Sequence, residues 1–281
     1  MATGNITVTT AANFIPEIWS GETLDYREAK LVNAALVDRT FENDAKFGDT
    51  IHVPNVTELS TRTKSASTDI TYETFTESVT DITIDTHKYA AIKIEDIVKV
   101  QSKYDLRQKY TGSFGYVLAK DVDTAVNGLY DGGSQTLGTL TVGLTDDDLR
   151  RAVQYLNDAN APSENRAWVF SPAEVKNLMG IDKLVNKDYN VSTLSTNMSV
   201  QGMIGSIYGI PAFETTNVEG SNAAGHDNVL LQKSALALVM QLDIQNEAEY
   251  SVDALAWKLV AHQVYGLKEM RDSHLVWLAS L

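Results

Sequence analysis

Apolar residues at Phe114, Val117, Leu118, Val122, Ala125, Val126 and Leu129 follow one another at spacings of three and four. That period puts them on one stripe of a helix and predicts a helical segment over 102–130, stopped by Asp131-Gly132-Gly133. At 1.5 Å per residue it would span roughly 35 to 40 Å, with Gly112 and Gly115 as the points where it would bend. Leu149, Ala152, Val153 and Leu156 repeat the pattern behind Thr145-Asp146-Asp147-Asp148, a capping sequence whose acids suit a helix N-terminus without any bound cation. A third helix opens at Ser171-Pro172-Ala173-Glu174, where Ser171 caps, Pro172 takes the first helical position, Glu174 closes the box and Gly180 ends the run. Leu24, Leu31, Val32, Ala35 and Leu36 predict a short amphipathic helix within 14–37.

Elsewhere the period changes to two. Asp49-Thr50-Ile51-His52-Val53-Pro54 reads as a strand that Pro54 stops, and Asp81-Ile82-Thr83-Ile84-Asp85 alternates cleanly among β-branched residues. Segments 48–60 and 68–93 are expected to form the two long arms of a β-hairpin around a polar, basic tip, Thr61-Arg62-Thr63-Lys64-Ser65. Asp69, Glu73, Glu77, Asp81 and Asp85 recur at every fourth residue and would share one face of its returning strand. Such a hairpin has little apolar material of its own to bury. Further strands are expected at 167–170, at 205–213 as strand, tight turn and strand, at 228–232 leading into 234–240, and at 256–264 and 275–278, with a polar loop over 186–203. The class is α+β.

The 281 residues are 43% hydrophobic and 21% charged, enough for one elaborated domain or two of ordinary size. There is no cysteine, which removes disulfides, thiolate chemistry and sulfur-ligated metals. A net charge of −14 argues against sequence-independent nucleic-acid binding, which rests on Lys and Arg neutralising phosphates. The first 40 residues set Arg27, Lys30 and Arg39 against Glu17, Glu22, Asp25, Glu28 and Asp38, so no basic arm is present there. The N-terminus lacks the pattern of a secretory signal, and no apolar run is long enough to cross a bilayer, so a protein without membrane contact is expected.

The search for chemistry finds little. His52, His87, His226, His262 and His274 show no metal-ligand spacing. Asp121, Asp123 and Asp243 could in principle serve as acid and base, but an acidic chain produces such neighbours freely. Gly202, Gly205 and Gly209 are not followed by Lys-Ser/Thr, and no GxSxG turn occurs. No catalytic residue, cofactor site or metal site is expected. The chain reads as a scaffold.

Several segments nonetheless carry a resemblance. Phe14-Ile15-Pro16-Glu17-Ile18-Trp19 followed by Gly48-Asp49-Thr50-Ile51-His52-Val53-Pro54 resembles the N-terminal arm and loop entry of the major capsid proteins of tailed double-stranded DNA bacteriophages, with the shell fold named after phage Hong Kong 97. Ile94-Glu95-Asp96-Ile97 and Ala119-Lys120-Asp121-Val122-Asp123 are similar to the approach to and body of that family's spine helix. Gly205-Ser206-Ile207-Tyr208-Gly209-Ile210-Pro211 resembles its G-x-I-x-G strand pair, and Tyr265-Gly266 its C-terminal YG strand.

The resemblance implies a phage major capsid fold with an N-terminal arm (1–47), an extended β-hairpin loop (48–93), a peripheral domain with a long spine helix (94–141 and 243–281) and an axial domain (142–242). It implies a non-enzymatic coat protein that assembles with itself into hexamers and pentamers of an icosahedral shell around a double-stranded DNA genome. Portal protein is an implied partner, together with a separate scaffolding protein or none, since the arm begins too early for a long fused scaffold. The implied location is the virion capsid, with assembly in the bacterial cytoplasm. The expected intersubunit contacts are Arg62, Lys64, Asp69, Glu73, Glu77, Asp81 and Asp85. An encapsulin-like compartment shell and, in a different class, a carboxylate-dependent hydrolase are the alternatives.

Overall fold

The computed structural model describes residues 31–55, 59–70, 72, 78–96, 106–185 and 203–281. The arm motif at 14–19 and the loop expected over 186–203 lie almost wholly outside them. A short helix α1 (Asn33–Leu36) leads to a two-stranded sheet of β1 (Thr50–Asn55) and β2 (Ser78–Thr83). β3 (Thr86–Glu95) and the helix α2 (Leu106–Asn127) follow. β4 (Gln135–Gly138), α3 (Asp146–Asp158), β5 (Arg166–Phe170), α4 (Pro172–Leu178) and α5 (Asp182–Val185) come next. The chain then runs through β6 (Met203–Ile207), β7 (Ile210–Glu214), β8 (Gly220–Ser221), β9 (Gly225–Gln232), β10 (Leu236–Ser251), β11 (Ala256–Glu269) and β12 (Leu275–Ser280).

A seven-stranded mixed sheet, ordered β4-β12-β9-β5-β7-β6 with β8 paired to β9, forms the larger half of the molecule. Its centre is apolar on both faces because helices cover both. Trp168, Phe170, Leu230, Val276 and Leu278 point to the face packed by Leu149, Ala152 and Leu156 of α3 and Val175 and Leu178 of α4. Val169, Val229, Leu231 and Leu275 point to the opposite face, under Val122, Val126 and Tyr130. β5 is accordingly buried at all five positions, the mark of a strand covered on both sides.

The second sheet has three strands in the order β10-β11-β3. Phe114 and Leu118 of α2 pack onto it against Ile94, Leu259 and Ala261. The helix thus joins the two sheets, its earlier turns on the small sheet and its later turns on the large one. Two side chains of β11 fasten it: Gln263 Nε2 donates to the Leu118 carbonyl at 2.9 Å, and Tyr265 OH donates to Asp121 Oδ2 at 2.8 Å.

Several expectations are corrected. α2 is continuous through Gly112 and Gly115, and it ends at Asn127, before Gly128 rather than at Asp131-Gly132-Gly133. Val117, expected on the buried stripe, is half exposed, because the narrow small sheet covers only the Phe114–Leu118 edge of the helix. Ser171 does cap α4, accepting from Glu174 N at 3.2 Å, but the Glu174 carboxylate turns inward to accept from Leu144 N and Asn177 Nδ2. β12 lies between β4 and β9 in the large sheet, so 243–281 does not stay with α2 and the small sheet as one piece.

The loop is corrected most. Among the described residues its hairpin pairs from Thr50↔Thr83 to Asn55↔Ser78. The run 86–95, expected to continue the returning arm, pairs instead with β11 from Thr86↔Tyr265 to Glu95↔Ala256. The root is also buried: Ile82 and Ile84, with Ile51 and Val53 beside them, pack on Ala45, Ala237 and Val239. The capping box of α3 stands as expected, with Thr145 and Asp148 each bonding the other's backbone. So does the tight turn between β6 and β7, where Tyr208 and Gly209 both have positive φ.

Candidate assembly surfaces

Above its buried root the loop is laid open. Every residue from 59 to 70 is exposed, including Arg62, Lys64 and Asp69. A local turn shapes this stretch, with Ser67 at φ 67° and Thr68 Oγ1 donating to Ser65 O at 2.9 Å. Asp81 stands on the outer face of the hairpin directly opposite His52, and the His52 ring nitrogen lies 2.6 Å from Asp81 Oδ1. Asp85 falls in the crossing between β2 and β3, where Thr86 Oγ1 donates to it at 3.1 Å. Glu73 and Glu77 lie outside the described residues. The acids therefore do not share one strand face as expected: Asp69 sits in irregular chain, Asp81 in a strand and Asp85 in a crossover.

Charge is not the main feature of this surface. Leu59, Ile70, Tyr72 and Val79 are large apolar side chains left to solvent, Tyr72 at 87% of its maximum exposure. Scattered single exposures are normal, and several in one exposed segment make it a candidate contact surface. The sequence carried this signal in Leu59, Ile70 and Tyr72 spaced through Ser and Thr.

A second exposed apolar site is the tip joining β10 to β11. Val252 and Leu255 stand out there at 72% and 62% exposure. The tip is braced from behind: Tyr250 OH donates to Asp96 Oδ2 at 2.7 Å, Asp96 N donates to Leu255 O at 3.0 Å, and the Tyr250 and Trp257 rings meet at 5.4 Å between centroids. Leu255 holds φ 43°, a backbone region that β-turn tips normally leave to glycine or asparagine. Sequence reasoning missed this hairpin, although Leu242, Ile244, Ala248 and Tyr250 alternate with Asp243, Gln245, Glu247 and Glu249 at period two.

The remaining polar groups hold the subunit together. Asp123 is buried, receiving Ala34 N at 3.1 Å and Asn217 Nδ2 at 2.9 Å, and burial raises its pKa against those two bonds. It ties α1 and the chain at 217 to α2. Asp121 takes Tyr265 OH and an ion pair from Lys88 at 3.3 Å. At the start of α3, Asp146 collects Lys183 Nζ at 2.8 Å, the Tyr208 hydroxyl and Arg150 Nε at 3.2 Å. The hydrogen bonds from Lys183 and Tyr208 hold its carboxyl below the usual carboxylate range. Among the described residues no three His, Cys, Asp or Glu gather as a metal-binding group, and no helix is long and apolar enough to cross a membrane. The histidines are dispersed: His87 and His262 meet edge to face across β3 and β11, His226 lies near Asn222, and His274 near Ser234.

No family model and no curated protein matches the chain. Solved structures do. The chain is similar to one from Mycobacterium phage Che8 at 27% identity and TM-score 0.82, over 95% of this chain and 97% of that one. The capsid structure of the cyanophage P-SCSP1u matches at 17% identity and TM-score 0.76, over 99% and 96%. A chain from Gordonia phage Cozz matches at 15% identity and TM-score 0.74, over 100% and 97%. The fold is the phage capsid fold along nearly the whole chain.

Proposed function

We propose that this chain is the coat subunit that assembles with copies of itself, as hexamers and pentamers, into an icosahedral shell around a phage double-stranded DNA genome. The observation that carries this reading is the loop: a buried, well-packed root supporting a stretch exposed at every residue from 59 to 70, with Leu59, Ile70 and, just beyond, Tyr72 left to solvent. Within one subunit those side chains gain nothing, whereas against a neighbour each removes apolar area from water. Assembly then comes from many weak contacts repeated in closed symmetry, without a catalytic step. The charge of −14 suits a wall that holds DNA without binding it.

In this reading the arm covers 1–47 and the loop 48–85. α2 with the small sheet is the peripheral part, and the large sheet with α3 and α4 is the axial part. Portal and a separate scaffolding protein are its partners, the mature location is the virion capsid, and assembly takes place in the host cytoplasm. Arg62, Lys64, Asp69, Glu73, Glu77, Asp81 and Asp85 contribute the charged part of the contact between neighbours.

Negative-stain microscopy of the purified protein tests this directly, and shells of uniform diameter are expected. Glu73→Lys with Glu77→Lys should give folded, soluble subunits that do not close, and wild-type assembly should slow as salt rises. Wild-type protein that stays monomeric under every assembly condition would overturn the shell reading. Normal shells from the double variant would remove these acids from the contact.

A further inference from the structure

The loop leaves the subunit by crossing over one residue of β11. β3 departs from β11 at the pair Thr86↔Tyr265, and the chain before it, Thr83 and Ile84, passes over Gly266. A Cβ on Gly266 would lie 2.4 Å from the Thr83 carbonyl oxygen and 3.1 Å from Ile84 Cα. Ile84 Cγ1 also lies 3.1 Å away, but the closest obstruction, the Thr83 carbonyl, is backbone, so a side-chain rotation cannot relieve it. Gly266 is not among the glycines with positive φ, so its backbone conformation is open to any residue. Glycine is required there only because the loop comes so close.

The neighbouring residue faces the other way, as successive residues of a strand must. Tyr265 reaches α2 through Asp121, which also takes the ion pair from Lys88 of β3. One dipeptide thus fixes the spine helix on one face of the sheet and seats the loop on the other. The seat is closed by Ile84 N donating to Asp49 O at 2.8 Å, which ties the two strands of the root together at the crossing.

We propose that Gly266 is a positioning residue that sets the direction in which the loop leaves the subunit, and thereby which placement of a neighbour the loop can reach. The second half of this statement rests on the shell reading; the first does not. A methyl group at 266 must lift the crossing by about 1 Å to reach ordinary contact distance. The displacement occurs at the root, so it becomes a rotation of everything beyond Asn55 and Ser78.

The chain has no cysteine, so two introduced ones can be labelled cleanly. Spin labels at Thr68→Cys in the loop and Gln154→Cys on the exposed side of α3 report the loop's direction by pulsed electron resonance in unassembled subunits. In Gly266→Ala the distance distribution should shift by several ångströms while thermal unfolding stays cooperative, and shells should be lost or change diameter. An unshifted distribution would overturn the proposal. A shifted distribution with shells of native diameter would overturn the role in placing neighbours. Should Gly266→Ala fail to fold, Ile84→Ala thins the same crossing from the loop side. It should broaden the distribution, and an unchanged one would equally overturn the proposal. If the wild type forms no shells, the shell reading fails, while the label distances still decide what Gly266 does.

Discussion

β5 and the loop between β1 and β2 draw on similar apolar side chains and treat them oppositely. Trp168, Val169 and Phe170 are covered on both faces by residues of the same chain, from α3 and α4 on one side and from α2 with Tyr130 on the other. Leu59, Ile70 and Tyr72 are covered by nothing among the described residues. Ile82, a few residues further along, is fully buried again against Ala237 and Val239. The contrast is therefore clear: the hairpin from Thr50↔Thr83 to Asn55↔Ser78 is anchored at its root, and residues 59–70 and 72 are presented to solvent. In the proposed shell such a chain would separate the residues that fold it from those that join it to others, and substitutions should sort by which group they fall in.

The strongest test on the folding side is Leu118→Asp. Leu118 is 2% exposed where α2 meets the small sheet, beside Phe114, Leu259 and Ala261. Replacing it removes about 2 to 3 kcal/mol of apolar burial and adds an unpaired carboxylate that must be desolvated or protonated. The expected loss exceeds about 4 kcal/mol, enough to unfold an ordinary domain, and chemical denaturation of the soluble fraction would measure it. A variant that melts normally and still assembles would break the distinction at its root.

How much of this was legible follows from the range of the forces involved. The local signals held: the Thr145 cap, the Ser171 cap, the stripe of Leu149, Ala152 and Leu156, and the Tyr208-Gly209 turn each depend on residues within a few positions. What failed depends on distant partners. The segment 86–95 alternates as a hairpin arm would, yet it pairs with a strand some 170 residues later, and period-two alternation names no partner. The resemblance groups 275–278 with the spine helix through 243–281, but after the turn at Asp272–His274 β12 pairs in the large sheet. Val117 is apolar and helical, but the surface under its part of α2 is too narrow to cover it. At the candidate contact surface the charges drew attention first. Leu59, Ile70 and Tyr72 are legible among Ser and Thr, but that none of the described residues covers them is visible only in the structure.

A middle case sharpens the comparison. Asp146 lies at the rim, yet its partners Lys183, Tyr208 and Arg150 all come from its own chain, so it belongs to the folding side. Asp146→Asn should destabilise the subunit by about 1 kcal/mol or less, because the partners are largely solvated. The pH dependence follows from the lowered pKa of the folded state. The carboxylate's contribution is complete above the ordinary carboxylate range and fades as the pH falls through the lowered folded-state value. The difference in melting temperature between wild type and variant should therefore be constant from about pH 5 upward and shrink below it. Assembly at neutral pH should be unaffected.

The smallest effect on stability should accompany the largest effect on assembly. Replacing Leu59, Ile70 and Tyr72 together by Ser keeps the length of the loop and leaves Ile82 and Ile84 in place, so the root stays packed. Since all three side chains are already exposed in the subunit, their loss should move its stability by no more than about 0.5 kcal/mol. Against a neighbour the same three would each bury apolar area worth about 1 to 3 kcal/mol, and that loss would recur at every equivalent contact of a shell. Sedimentation should find folded subunits with wild-type melting that remain unassembled at concentrations where the wild type closes. A triple variant that assembled at the wild-type threshold would show that these side chains are uncovered in the shell as well, and that the loop binds its neighbour through backbone or charge instead.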